Sequence, residues 1–192
     1  RSFADVARER GVDPLDCFLD LQQEYGNDLR WYTVVGNDRL SELEYVVDHP
    51  AVLIGFSDAG AHLRNMAYYD FPLHLLRLVR RAAAEGRELM SPERAVHRLT
   101  GEIADFLGID AGHLEVGRRA DLVVVDPAAL DGRLDEIVEE EMVGMPGLMR
   151  LVRRHDACVP AVLVNGRVAW HDGEFAPGLG DRRGFGRLLR AC

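Results

Sequence analysis

The stretch Val52-Leu53-Ile54-Gly55-Phe56-Ser57-Asp58-Ala59-Gly60-Ala61-His62 constrains the fold more than any other part of the chain. Its apolar run has no polar alternation, the pattern of a strand covered on both faces in a parallel sheet. Gly55 leaves room for close backbone approach, and Gly60 permits a positive φ just past the run. Asp58 is thereby expected at the carboxyl end of a buried strand, where parallel α/β sheets carry their chemistry. Ser-Asp and Asp-x-Gly are also ordinary turn chemistry, so this segment alone reads equally well as a capped turn.

The flanking sequence supports an α/β alternation. Residues 2–10 read as a helix ended by Gly11. Asp13-Pro14-Leu15-Asp16 opens another, with Asp13 as N-cap and Pro14 at the first helical position. Leu15, Phe18, Leu19 and Tyr25 form its apolar face, and Gly26 stops it. Trp31–Val35 is rich in β-branched and aromatic residues and reads as a strand, turned by Gly36-Asn37-Asp38. Ser41-Glu42-Leu43-Glu44 reads as a capping box opening a helix with Leu43, Val46 and Val47 inward, ended by His49-Pro50. Helix–strand–helix–strand order is that of a parallel sheet, but two strands cannot make one. The chain opens at Arg1 inside a helical pattern, so the expectation is a fragment whose other strands lie upstream.

After a loop containing Arg64, Tyr68 and Tyr69, Pro72 opens a long helix with Leu73, Leu76, Val79 and Ala83 on one side. Ser91-Pro92 starts a second, burying Ala95, Val96 and Leu99. Thr100 caps a third, with Ile103, Phe106 and Leu107 inward before Gly108. From about Gly112 the helical period disappears. Leu122–Val125 is a strand, and Ala161–Val164 and Arg167–Trp170 flank Asn165-Gly166, a strong hairpin signal. Residues 131–157 form an insertion whose Glu139-Glu140-Glu141 run reads as a solvated face packed down by the Met142–Met149 stretch. The Gly- and Arg-rich tail, 176–192, is loosely ordered by expectation, with Leu188-Leu189 able to dock.

Composition narrows the classes. The chain is 47% hydrophobic and 29% charged, as in globular domains, and carries a net charge of −9. No basic run exceeds an Arg pair, which argues against a nucleic-acid partner. No apolar run approaches the ~18 residues of a membrane span. Cys17, Cys158 and Cys192 are far apart and lack metal-type spacing, which suits reduced thiols in a cytoplasmic protein.

Three further segments add specificity. They are Gly117-Arg118-Arg119-Ala120-Asp121-Leu122-Val123-Val124-Val125-Asp126-Pro127, Val162-Leu163-Val164-Asn165-Gly166-Arg167-Val168, and Leu99–Gly108. In their order along the chain, behind a strand-end Asp, they resemble the C-terminal part of the amidohydrolase superfamily. Ser57-Asp58-Ala59-Gly60-Ala61-His62 is most similar to its N-acyl-D-amino-acid deacylase (D-aminoacylase-like) branch. The resemblance implies an α/β architecture: the last strands and helices of a (β/α)8 barrel over residues 1–111, then most of a small β-sandwich over 112–192, interrupted at 131–157. It implies a divalent metal, usually zinc, in the full-length enzyme. The metal activates a water that attacks the amide carbonyl.

In that setting Asp58 is the catalytic residue, taking the proton of the water and returning it to the leaving amine, and is a possible metal ligand. His62 and Arg64 are the candidate substrate contacts, Arg64 through a bidentate grip on a substrate carboxylate. His49, His74, His97, His113, His155 and His171 show no ligand spacing, so the other metal ligands are expected upstream of Arg1. The expected reaction is hydrolysis of a linear amide, N-acyl-D-amino acid to D-amino acid and carboxylate, with the isolated 192 residues inactive. Two rivals are a cyclic-amide hydrolase and a non-catalytic interaction module. The exposed strand edges of an incomplete barrel would favour homo-oligomers.

Overall fold

The computed structural model describes all residues except Val35, Phe56, 58–63, 65–67, Val143, Gly144 and Cys192. The fold is mixed α/β, with six α-helices, a four-stranded sheet and a two-stranded sheet among the described residues. The chain divides into two compact units, Arg1–Leu43 and Glu44–Cys192.

The first unit is a helical hairpin. Helix α1 (Phe3–Arg10) begins with a true capping box, Ser2 Oγ accepting from Asp5 N–H while Asp5 accepts from Ser2 N–H, and ends on Gly11 in the left-handed region. Helix α2 (Pro14–Tyr25) starts as expected, with the Asp13 side chain accepting from Leu15 N–H at 2.8 Å. Its buried face differs from the expected one. Cys17 and Leu21, four residues apart, pack with Ala7 of α1, whereas Leu15, Leu19 and Tyr25 are exposed. The short Ala7 side chain lets the helices approach on the Cys17 side, and that contact decides which face turns in. Residues 31–34 form no strand. Trp31 instead closes an edge-to-face aromatic trio with Phe3 and Phe18, at 6.3 and 5.6 Å between ring centroids.

Helix α3 spans Leu40–Asp48 and stops before His49-Pro50 as the sequence predicts. Its opening differs: Ser41 lies inside the helix and its hydroxyl donates to Glu42 Oε2 at 2.8 Å, so no capping box forms. Val47 packs inward and Val46 is exposed. The described residues of 52–57 lie in no sheet. A strand exists only where a neighbour completes its hydrogen-bond ladder, and here the Val52 carbonyl is taken by a side chain, that of Arg98. All strand pairs among the described residues are antiparallel.

Helix α4 (Phe71–Ala84) is the central element of the second unit. Leu75 and Val79 pack against Ala95 of α5 (Pro92–Leu99), with Val47 and Ile54 joining this cluster. Leu73 and Leu76 pack against Ala129, Leu130, Leu134 and Cys158. Ala82, fully buried, rather than Ala83 continues the inner face. Ser91 caps α5 as expected, its hydroxyl accepting from Arg94 N–H at 3.2 Å, but Val96 points to solvent. Thr100 does not cap α6 (Gly101–Leu107). Its hydroxyl donates back to the Val96 carbonyl at 2.8 Å, a local bond that competes with capping. Gly101 and Ala104 are the buried residues of α6, and Phe106 and Leu107 are exposed. Gly112, at φ +77°, packs so closely on the Thr100 backbone that a Cβ would lie 2.7 Å from it.

The four-stranded sheet runs β1 (Leu122–Val124), β4 (Ala161–Val164), β5 (Arg167–His171), β6 (Glu174–Phe175) in that spatial order. Asn165 and Gly166 turn β4 into β5 with φ of 51° and 77°, the left-handed pair that a two-residue hairpin requires. Here two of the sequence segments meet: Asp121 accepts from Asn165 N–H at 2.6 Å, and the Ala120 carbonyl accepts from Gly166 N–H at 2.8 Å. The insertion is more ordered than a solvated acidic run. Strands β2 (Val138–Glu141) and β3 (Met149–Val152) form an antiparallel hairpin, preceded by short 3₁₀ turns that bury Leu134. The tail beyond residue 176 consists of turns and coil, with Leu188 exposed.

Candidate functional site

Asp58 and His62 lie outside the described residues, so the site is built from the described segments on either side of residues 58–63. The entering segment is held by Arg98, whose side chain is fully buried. Its Nη1 donates to the carbonyls of Asp48 (3.3 Å) and His49 (3.2 Å), and its Nη2 to those of His49 (3.2 Å) and Val52. One guanidinium thus caps the carboxyl end of α3, where orphan carbonyls and the helix dipole favour a cation, and fixes the start of the 52–57 stretch. Glu102 Oε2 lies 3.7 Å from Arg98 Nε and balances the buried charge.

The leaving segment is tied to the insertion. The Arg64 carbonyl accepts from Leu151 N–H of β3 at 2.7 Å. The Arg64 side chain is exposed, and no carboxylate among the described residues pairs with it. The Arg153 guanidinium lies 4.4 Å from the centre of the Tyr68 ring, within cation–π range. Asp70 and His74, at the start of α4, are joined at 2.9 Å, and Arg77 Nη2 lies 3.1 Å from His74 Nδ1. A guanidinium can only donate, so His74 accepts at Nδ1 and carries its proton on Nε2, toward Asp70. Arg77 also grips Asp135 with two bonds of 2.9 and 2.8 Å and holds that carboxyl below its ordinary pKa.

These contacts bear on metal binding. With both ring nitrogens engaged, His74 offers no lone pair to a cation. Among the described residues no group of three His, Cys, Asp or Glu side chains could hold a metal ion. His113 is bound to Asp105 at 2.8 Å, and His171 pairs with its neighbour Asp172. Cys158 is spent on packing: its thiol donates to the Ala129 carbonyl at 3.0 Å, and burial pushes its pKa up. The described residues therefore do not fit a metal centre by themselves. An open cleft of about 370 Å³ lies at the end of α3, between Tyr45, His49, Arg87 and Leu89. Arg87 there is paired with Glu44 and Glu85, and Asp48 and Glu88 also line the cleft, which makes its lining predominantly acidic.

Arg98, Tyr68 and Arg153 escaped sequence reasoning. An Arg three residues after the inward Ala95 is the one signal for Arg98, while the Tyr68–Arg153 contact joins residues far apart in the chain and left no local mark.

Residues 3–170 match the sequence profile described as Amidohydrolase family. The chain belongs to that family. It is similar to uncharacterized proteins of Mycobacterium bovis and Mycobacterium tuberculosis, 47% identical over 196 residues. The match covers 100% of this chain and 32% of each relative, so the chain spans about a third of their length. No solved structure matches the chain. Members of the amidohydrolase family are hydrolases and generally bind divalent metals. Among the described residues, no helix is long and apolar enough to cross a membrane.

Proposed function

We propose that the chain is the carboxyl-terminal part of a metal-dependent amidohydrolase that hydrolyses the amide of an N-acyl-D-amino acid, with Asp58 as its proton carrier. The observation that supports this is the run of the family match, from residue 3 to residue 170, through the Ser57–His62 turn and both later motifs. Residues 1–111 then belong to the barrel, and residues 112–192 to the small β-sandwich with its insertion. The metal ligands belong to the remainder of a polypeptide about three times as long, as in the mycobacterial relatives.

Amide hydrolysis needs a base for the attacking water and an acid for the departing amine. A single carboxylate serves both when it first takes and then returns the same proton. Asp58 fills that role, His62 contacts the substrate, and Arg64, whose guanidinium has no carboxylate partner among the described residues, receives the substrate carboxylate.

The test is Asp58→Asn in the full-length protein, assayed on N-acyl-D- and N-acyl-L-amino acids and on hydantoins. Loss of about 10²–10⁴ in kcat, with the fold retained, is expected for removal of an acid–base group. Near-normal turnover in that variant removes Asp58 from catalysis, and a preference for hydantoins moves the substrate class to cyclic amides.

A further inference from the structure

The 131–157 insertion has no place in the reaction described above, yet it touches the chain downstream of Asp58 at three points. Leu151 N–H, on the edge of β3 not paired with β2, donates to the Arg64 carbonyl. Arg153, one residue past β3, covers the Tyr68 ring. Asp135, in the 3₁₀ turn before the hairpin, takes both arms of Arg77 on α4. Arg64 stands two residues beyond His62, and Tyr68 ten beyond Asp58.

The Arg153 contact is unlike its neighbours. Arg154 pairs with Glu140 at 2.9 Å and so closes the hairpin on itself. Arg153 forms no ion pair with a carboxylate among the described residues, although Asp135 senses its charge at longer range. Its Nε is buried without a hydrogen-bond partner among the described residues. A buried guanidinium edge is costly, and the Tyr68 ring face offsets part of that cost.

We propose that the insertion braces the chain at Arg64 and Tyr68, downstream of the candidate proton carrier Asp58, with Arg153 as a positioning residue that acts through Tyr68. This rests on the reading of Asp58 as the proton carrier. A carboxylate that must meet both a water and a leaving amine tolerates little displacement, so contacts that fix Arg64 and Tyr68 bear on its placement.

The test compares Arg153→Ala, Arg153→Lys and Arg154→Ala in the full-length protein, by hydrogen–deuterium exchange of peptides spanning 64–74 and by steady-state kinetics. Arg153→Ala is expected to speed exchange in those peptides about threefold, the ratio a cation–π contact supports. It should also lower kcat while KM stays within about twofold, because substrate contacts are spared. Arg153→Lys keeps a cation over the ring and should recover most of both effects. Arg154→Ala removes the Glu140 pair but leaves the Tyr68 contact in place, and should raise exchange in residues 64–74 clearly less than Arg153→Ala does. Unchanged exchange in Arg153→Ala overturns the proposal, as does an equal rise in Arg154→Ala or faster exchange with kcat intact. The exchange result stands apart from the Asp58→Asn assay, so an active Asp58→Asn enzyme would refute the catalytic reading without deciding the brace.

Discussion

Replacing Arg98 by Met keeps most of the apolar stem and deletes the guanidinium, which isolates what the charge contributes. In the native fold that group makes four contacts to three carbonyls, those of Asp48, His49 and Val52. A hydrogen bond from a charged donor contributes about 1.5–3 kcal/mol net, and contacts of 3.2–3.3 Å belong at the low end. The His49 carbonyl also accepts from Val52 N–H at 3.1 Å, so it is not wholly orphaned. Glu102 loses its buried counter-charge, which adds to the loss, whereas the guanidinium's own desolvation cost disappears. The net expectation is about 3 kcal/mol, close to the cost of breaking a buried charged cluster from one side. For a protein of this size that lowers Tm by roughly 6–12 °C. Arg98→Lys should recover less than about half, because a point ammonium cannot bracket three carbonyls as a planar fork does. Urea denaturation with an unchanged m-value measures the effect. A loss under about 1 kcal/mol in Arg98→Met would refute the claim that Arg98 anchors the entry to the candidate site.

Other expectations follow from the same physics. Gly112→Ala should destabilise by about 2 kcal/mol or more in a denaturant titration, since φ is +77° and the new Cβ meets Thr100 backbone at 2.7 Å. The Asp131 pKa is lowered to about 2, first by the Arg133 side chain and then by the Arg133 N–H, and Asp135 is lowered by Arg77. Both carboxylates therefore contribute stability that is fully present above the unfolded value near pH 4 and is lost at lower pH, for Asp131 as pH falls toward about 2. Urea midpoints measured at pH 5 and pH 3 should converge in Arg133→Ala relative to wild type. In a Cys192→Ser background, Cys17 and Cys158 are both buried, so a thiol reagent at pH 8 should label neither until the protein unfolds. Rapid native labelling would contradict that packing.

Local signals were the legible ones. Asp13-Pro14, Ser91-Pro92, Gly11, Gly108 and Asn165-Gly166 each do in the structure what their backbone chemistry predicts, because a cap or a two-residue turn is decided within a few bonds. Which helical face turns inward was less legible. Leu19, Val96 and Phe106 are apolar and exposed, whereas the small Ala7, Ala95 and Ala104 sit at the contacts, because close approach selects small residues that a hydrophobic pattern undervalues. Residues 31–34 and 52–55 have strand composition and lie in no sheet, since β-propensity reports a fit to a paired, half-buried surface that the described residues do not supply. Asp58, His62 and Arg64 came from pattern and resemblance, and only Arg64 falls among the described residues. The insertion offered composition alone, and its hairpin depends on cross-strand register between residues that are not neighbours in sequence.

Helix α4 presents Leu75 and Val79 to the α5 cluster and Leu73 and Leu76 to the cluster around Leu134 and Cys158. For protein engineering this makes it a party wall. A cut between residues 111 and 112 follows the change in sequence character, but it hands the helix to one fragment and strips the other of a side of its core. Fragments made there should be soluble only when co-expressed, and useful split points lie instead in exposed turns that both clusters can spare, such as Asn165-Gly166.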